Sequence, residues 1–98
     1  MISKSRIKLI KTLEKRKYRL EHKLFVAEGP KLVGELIQHL KPAYIAAQKE
    51  WIEQNRTLIP QQTQVDEVLH EELERASLLR APQSVLALFP IEEQNFDE

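Results

Sequence analysis

Hydrophobic and polar residues alternate with helical spacing in the first part of the chain. Residues 3–23 contain no glycine or proline, and serines near the start can cap a helix there. At about 100° per residue, a broad apolar arc and a narrow lysine stripe lie on opposite sides. The apolar arc comprises Ile2, Ile7, Leu9, Ile10 and Leu13, and the stripe comprises Lys4, Lys8, Lys11 and Lys15. The apolar pattern restarts at Tyr18 and Leu20, which predicts a bend near Arg16.

After residue 23, short apolar runs alternate with helical segments. The runs predict strands near 24–28, 43–47, 63–68 and 84–89, and the segments between them predict helices near 31–40, 49–54 and 70–77. This alternation predicts an α/β fold, a three-layer α/β/α sandwich with a mostly parallel four-stranded sheet. The expected core residues are Phe25, Val26, Leu36, Ile45, Val85, Leu86 and Leu88.

Basic and acidic residues are unevenly distributed along the chain, although its formal net charge is zero. Residues 1–23 hold nine bases and two acids, a balance of +7, and the remaining residues hold six bases and thirteen acids, a balance of −7. Such a division predicts a polyanion contact at the basic end, while the alternative is a merely solvated helix surface. The candidate RNA-binding residues are Lys4, Arg6, Lys8, Lys11, Lys15, Arg16, Lys17 and Arg19.

Several kinds of chemistry lack the residues they need. Two glycines, Gly29 and Gly34, cannot form a phosphate-binding loop, and the absence of cysteine excludes disulfides and zinc–thiolate sites. We therefore assign no catalytic, cofactor-binding or metal-binding residue. The chain contains no apolar run long enough to span a membrane, and a cysteine-free composition favours the cytoplasm.

Two motifs in a fixed order resemble a known family. A basic helix and Arg19 precede Phe25-Val26-Ala27-Glu28-Gly29-Pro30-Lys31-Leu32-Val33, and Ala81-Pro82-Gln83-Ser84-Val85-Leu86-Ala87-Leu88-Phe89 follows much later. The order resembles the substrate-binding domain that precedes the knotted catalytic domain of SpoU (TrmH-type) RNA 2'-O-ribose methyltransferases. The matching residues are Arg19, Phe25, Glu28, Gly29, Val33, Pro82, Gln83 and Ala87. Two positions depart from the family: Ser84 replaces a usual Gly, and Ser5 stands where Asn is frequent.

The resemblance implies a fold similar to that of small ribosomal RNA-binding proteins. It implies an RNA substrate-binding domain at 1–89, with a basic helical arm at 3–23 and an α/β body at 24–89. Residues 90–98 would then link this domain to a catalytic domain outside the chain. That domain would bind S-adenosylmethionine and methylate a ribose 2'-hydroxyl of rRNA or tRNA. The chain itself would hold no active site and no cofactor, and its partners would be RNA and its own catalytic domain.

Two other functions stay open at this point. The chain could be a stand-alone ribosomal-type RNA-binding protein, or a protein-interaction domain whose lysine stripe is only solvated. The sequence also leaves open the target nucleotide and whether the parent enzyme is a homodimer.

Overall fold

A computed structural model describes residues 1–92 of the chain. It contains five α-helices, one short 3-10 turn and four strands. In chain order these are α1 (Lys4–Thr12), α2 (Arg16–His22), β1 (Leu24–Glu28), α3 (Pro30–Leu36), β2 (Tyr44–Ala47), α4 (Lys49–Gln54), the 3-10 turn (Arg56–Leu58), β3 (Gln64–Glu67), α5 (His70–Ala76) and β4 (Val85–Pro90). The predicted strand positions agree with these bounds, and the first helical segment breaks before Arg16 as expected.

The four strands form one sheet in the order β1-β4-β2-β3. Strand β4 runs antiparallel to both β1 and β2, and only β2 and β3 form a parallel pair. The predicted α/β fold with a four-stranded sheet is confirmed, but the predicted mostly parallel pairing is wrong. The first three strands do point the same way. The last strand enters between β1 and β2 in the opposite direction, so two of the three pairings become antiparallel.

Helices cover both faces of the sheet, so the structure has three layers. On one face, Tyr44, Ala46, Leu86 and Leu88 pack with residues of α1 and α5 such as Ile10 and Leu73. On the other face, Ile45, Val85, Ala87 and Phe89 pack with Val33 of α3 and Trp51 of α4. Alternate residues of β4 therefore enter different cores, as the pleat of a strand requires. No helix within residues 1–92 is both long and apolar enough to span a membrane.

The predicted core residues are buried to different degrees. Ile45, Val85, Leu86 and Leu88 are buried, whereas Phe25, Val26 and Leu36 are half-buried. Phe25 and Val26 lie on β1, which is an edge strand and has a neighbour on one side only. Phe25 still stacks on Phe89, with ring centroids 5.8 Å apart.

Most of the predicted linker at 90–98 lies outside the described residues. Its first part remains attached to the body, because the Ile91 N–H donates to the Lys23 carbonyl at 2.9 Å. The chain thus leaves β4 beside the C-terminal end of α2, where Lys23 takes a left-handed conformation with φ 57°.

Candidate nucleic-acid interface

Helix α1 presents its lysines to solvent because its apolar side is fixed on the sheet. Ser3 caps the helix, with its Oγ accepting the Arg6 N–H at 3.1 Å. Ile10 and Leu13 are fully buried in the core that also contains Leu73 of α5. The exposed lysines on the opposite side are Lys4, Lys8, Lys11 and Lys15.

Arg19 connects the two helices of the arm. Its Nη1 donates to the Leu13 carbonyl at 3.0 Å and to the Glu14 carbonyl at 2.7 Å. Carbonyls at a helix end have no partner within the helix, so a guanidinium there satisfies them and fixes the bend. The structure therefore gives Arg19 a role within the domain, in addition to any contact with RNA.

Arg6 turns inward over the sheet. Its guanidinium carbon lies 4.0 Å from the centroid of the Tyr44 ring, and its Nη2 donates to Gln64 Oε1 at 3.3 Å. The buried Tyr44 hydroxyl in turn donates to Asp66 Oδ2 at 2.6 Å. Burial raises the pKa of the Tyr44 phenol well above its usual range, and the hydrogen bond to Asp66 raises that pKa further. Arg6 thus covers an aromatic ring that would otherwise reach solvent.

Lys11 also has a partner inside the domain, although it belongs to the predicted stripe. Its Nζ donates to the carbonyl of Ser77 at 2.6 Å, and Ser77 is the residue that ends α5. A cation at this position interacts favourably with the C-terminal end of the helix dipole. Lys11 consequently joins α1 to α5.

Five of the eight candidate residues remain turned outward, and we call them the basic ridge. The basic ridge consists of Lys4, Lys8, Lys15, Arg16 and Lys17, all exposed. Within residues 1–92, no carboxylate forms an ion pair with any of them. The Lys17 ammonium nitrogen lies 5.4 Å from the centroid of the neighbouring Tyr18 ring, and the side chain is exposed. The basic ridge is therefore a group of cations whose charge is not neutralised by the described part of the domain.

Glu72 of α5 holds the start of the basic arm in place. Its carboxylate accepts the Leu69 N–H and the Ile2 N–H, both at 3.1 Å, and lies 3.9 Å from the Met1 amino group. The hydrogen bond from Leu69 is the main cause that lowers the pKa of Glu72, and the bond from Ile2 and the Met1 charge act in the same direction. An acid at the third position of a helix is a known capping signal, but no local pattern indicates the contact with Ile2, which lies 70 positions away.

The residues of the two family-like motifs meet at one turn. The Glu28 carboxylate accepts the Ser77 hydroxyl at 2.5 Å and the Leu78 N–H at 2.9 Å. Gly29 has φ 102°, and a Cβ at this position would lie 3.3 Å from Gln83 Oε1. A positive φ and this close approach both favour glycine. Glu28 therefore holds the end of α5 against β1, and the Gly29 N–H donates to the Val85 carbonyl of β4 at 3.0 Å.

The two residues that depart from the family motifs are Ser5 and Ser84. Ser5 Oγ lies 3.2 Å from Ser3 Oγ on the exposed start of α1. The Ser84 carbonyl accepts the Gln48 N–H at 2.9 Å, a contact that any residue can make. Within the described residues, no three His, Cys, Asp or Glu side chains are grouped closely enough to hold a metal ion.

Comparison with known proteins matches residues 4–87 to the family model described as MRM3-like substrate binding domain. Among solved structures, a TrmH-family RNA methyltransferase from Porphyromonas gingivalis is similar, with 29% identity and a TM-score of 0.83 over 95% of this chain. An rRNA methyltransferase from Sinorhizobium meliloti has 26% identity and a TM-score of 0.73 over 94% of this chain. This chain spans only 37% and 36% of those two proteins. No curated protein matches the sequence.

Proposed function

The chain belongs to the MRM3-like substrate binding domain family, and from that membership we propose that it recognises RNA for a 2'-O-ribose methyltransferase of the SpoU (TrmH) type. The proposed substrate is rRNA or tRNA. The basic arm at 3–23 contacts the RNA, and the α/β body at 24–89 supports the arm. The absence of cysteine fits a protein that works in the reducing cytoplasm.

The chemistry of methyl transfer belongs to a second domain in this proposal. The similar solved proteins are much longer than this chain, and residues 90–98 would lead into the part that the chain lacks. S-adenosylmethionine is bound in a solved structure of the S. meliloti protein and would supply the methyl group in the parent enzyme. No residue of this chain is proposed to hold that cofactor.

The observation that carries the proposal is the basic ridge itself. Unpaired lysines at a surface repel one another, and a polyanion would neutralise them. The net charge of the whole chain is zero, so overall charge gives no sign of a polyanion partner, whereas the separation of the ridge cations from the acids does. Lysine ammoniums would contact phosphates, which gives affinity and orientation with little sequence information.

The test is a charge-removal variant of the ridge. We predict that changing Lys4, Lys8 and Lys15 to Gln leaves the fold intact, because exposed substitutions usually change stability by less than about 0.5 kcal/mol. The same variant should bind single-stranded RNA more weakly and reduce the slope of log affinity against log salt by about 2, at about 0.7 per lost phosphate contact. Fluorescence anisotropy across a salt series measures both quantities.

A matched variant controls for net charge. Lys41, Lys49 and Arg56 are exposed cations of the body, and changing all three to Gln removes the same charge. The control should keep most of the salt slope. Equal slopes in the two variants would mean that RNA does not contact the ridge preferentially. A wild-type chain that binds no RNA would overturn the proposed function in favour of a protein-interaction domain.

A further inference from the structure

Tyr18 is an aromatic side chain within the basic arm. It lies on α2, directly after Arg16 and Lys17 of the basic ridge. The Lys17 ammonium nitrogen lies 5.4 Å from the centroid of the Tyr18 ring, and the carbonyl of Lys15 accepts the Tyr18 N–H at 3.1 Å. The ring therefore lies among the cations that we propose to contact RNA.

The two hydrophobic cores of the domain do not account for Tyr18. Its side chain is half-buried, and within residues 1–92 it is not one of the side chains packed on either core of the sheet. Among the described residues, none forms a hydrogen bond with its hydroxyl. Part of the Tyr18 side chain is therefore accessible to a ligand that approaches the basic ridge.

The other tyrosine of the chain has a structural role that Tyr18 lacks. Tyr44 is fully buried, and its hydroxyl donates to Asp66. The cation over its ring, Arg6, is held in place by a hydrogen bond to Gln64 Oε1 at 3.3 Å. The lysine beside the Tyr18 ring is exposed and has no hydrogen-bond partner in the described part of the chain. Its ammonium can therefore move from the ring to a phosphate.

We propose that Tyr18 stacks on one unpaired base of the bound RNA. This inference rests on the proposed function, because the base belongs to the strand whose phosphates contact the basic ridge. A base and its phosphate belong to one nucleotide, so a strand bound at Lys15 and Lys17 brings a base close to the ring. Proteins that bind single strands combine cations that follow the backbone with aromatic side chains that stack on bases.

Stacking on Tyr18 determines which form of RNA the arm binds. In a duplex each base is paired and stacked between its neighbours, so its faces are not accessible to a side chain. Single strands and loops present unstacked bases that an aromatic side chain can contact. Every base has an aromatic face, so the contact selects unpaired RNA without selecting a particular base. The basic ridge would thus supply affinity, and Tyr18 would supply a preference for unpaired RNA.

The experiment compares oligouridylate with an abasic ribose-phosphate strand of equal length by fluorescence anisotropy. The two strands have the same number of phosphates and differ in their bases. The wild-type chain should bind oligouridylate about fivefold to tenfold more tightly, the lower end of the range for one stacked base, since the ring is half-buried. Tyr18→Ala should remove this preference and leave the salt slope unchanged. Tyr18→Phe, which keeps the aromatic ring, should retain the preference.

Leu20→Ala is the matched control, because Leu20 is an exposed apolar residue on a different side of the same helix. It should retain the full preference. Equal affinity of the wild-type chain for the two strands would overturn the inference, and this comparison needs no variant to fold. A preference that survives Tyr18→Ala would also overturn it. In either case the basic ridge could still bind both strands with its predicted salt slope, so failure of stacking is distinguishable from failure of the proposed function.

Discussion

A substitution at Lys11 can distinguish the cations of the basic arm that stabilise the domain from those that contact RNA. We predict that Lys11→Gln lowers the free energy of unfolding by about 1 kcal/mol, whereas Lys8→Gln changes it by less than about 0.5 kcal/mol. The difference arises because the Lys11 ammonium donates to the Ser77 carbonyl at 2.6 Å, and Lys8 has no such partner among the described residues. Both lysines are exposed and belong to the same stripe, so they form a matched pair.

The magnitude follows from the geometry of the Lys11 contact. A hydrogen bond that involves a charged group contributes about 1.5 to 3 kcal/mol, and the helix C-terminus adds about 0.3 to 1 kcal/mol. The Lys11 side chain is largely exposed, so solvent screens the charge and ordering the side chain has an entropic cost. After this reduction, we expect the contact to contribute about 1 kcal/mol to the free energy of unfolding. In a chain of 98 residues, that loss corresponds to a fall in melting temperature of about 4 to 8 °C.

Urea unfolding followed by tryptophan fluorescence measures the effect. Trp51 is the one tryptophan of the chain and is buried between α4 and the sheet, so its emission reports loss of the core. RNA binding is measured in parallel. Lys11→Gln should reduce the salt slope less than Lys8→Gln does. Equal stability of the two variants, with an equal loss of salt slope, would refute the assignment and return Lys11 to the RNA-contacting set.

The fold was predictable from sequence to the extent that it depends on local periodicity. The apolar run Val85 to Phe89 has the length of a buried strand, and Pro82 marks the turn before it. The direction of that strand was not predictable, because alternation of strands and helices says nothing about where the last strand inserts. Its pairing with β1 joins Phe25 to Phe89, residues far apart in sequence.

The candidate site was also only partly predictable from the sequence. Charge asymmetry identifies the arm, but it cannot separate cations that face solvent from those that contact the domain. The contact of Lys11 with Ser77 spans 66 positions, and that of Arg6 with Gln64 spans 58, so no local pattern contains either one. Arg19 differs, because its carbonyl partners lie five and six positions earlier. A basic residue just after a helix break was a signal that could have indicated its capping role.

Two further predictions concern the contacts that hold the arm. Arg19→Ala should lower the free energy of unfolding by about 2 kcal/mol because two carbonyls at the end of α1 lose a charged donor, and Arg19→Lys should lose less; urea unfolding would contradict this if Arg19→Ala were as stable as the wild type. For Glu72, the hydrogen bond from Leu69 lowers the folded-state pKa below the unfolded value of about 4.3. The stabilisation is therefore present above the unfolded pKa and is lost as the pH falls through the lower folded pKa, where the carboxylate is protonated in both states. Urea unfolding between about pH 6 and pH 3 should show the wild type losing more stability than Glu72→Gln, which has no charge to titrate. Parallel pH curves for the two proteins would show that Glu72 does not hold the Ile2 end of the arm through its charge.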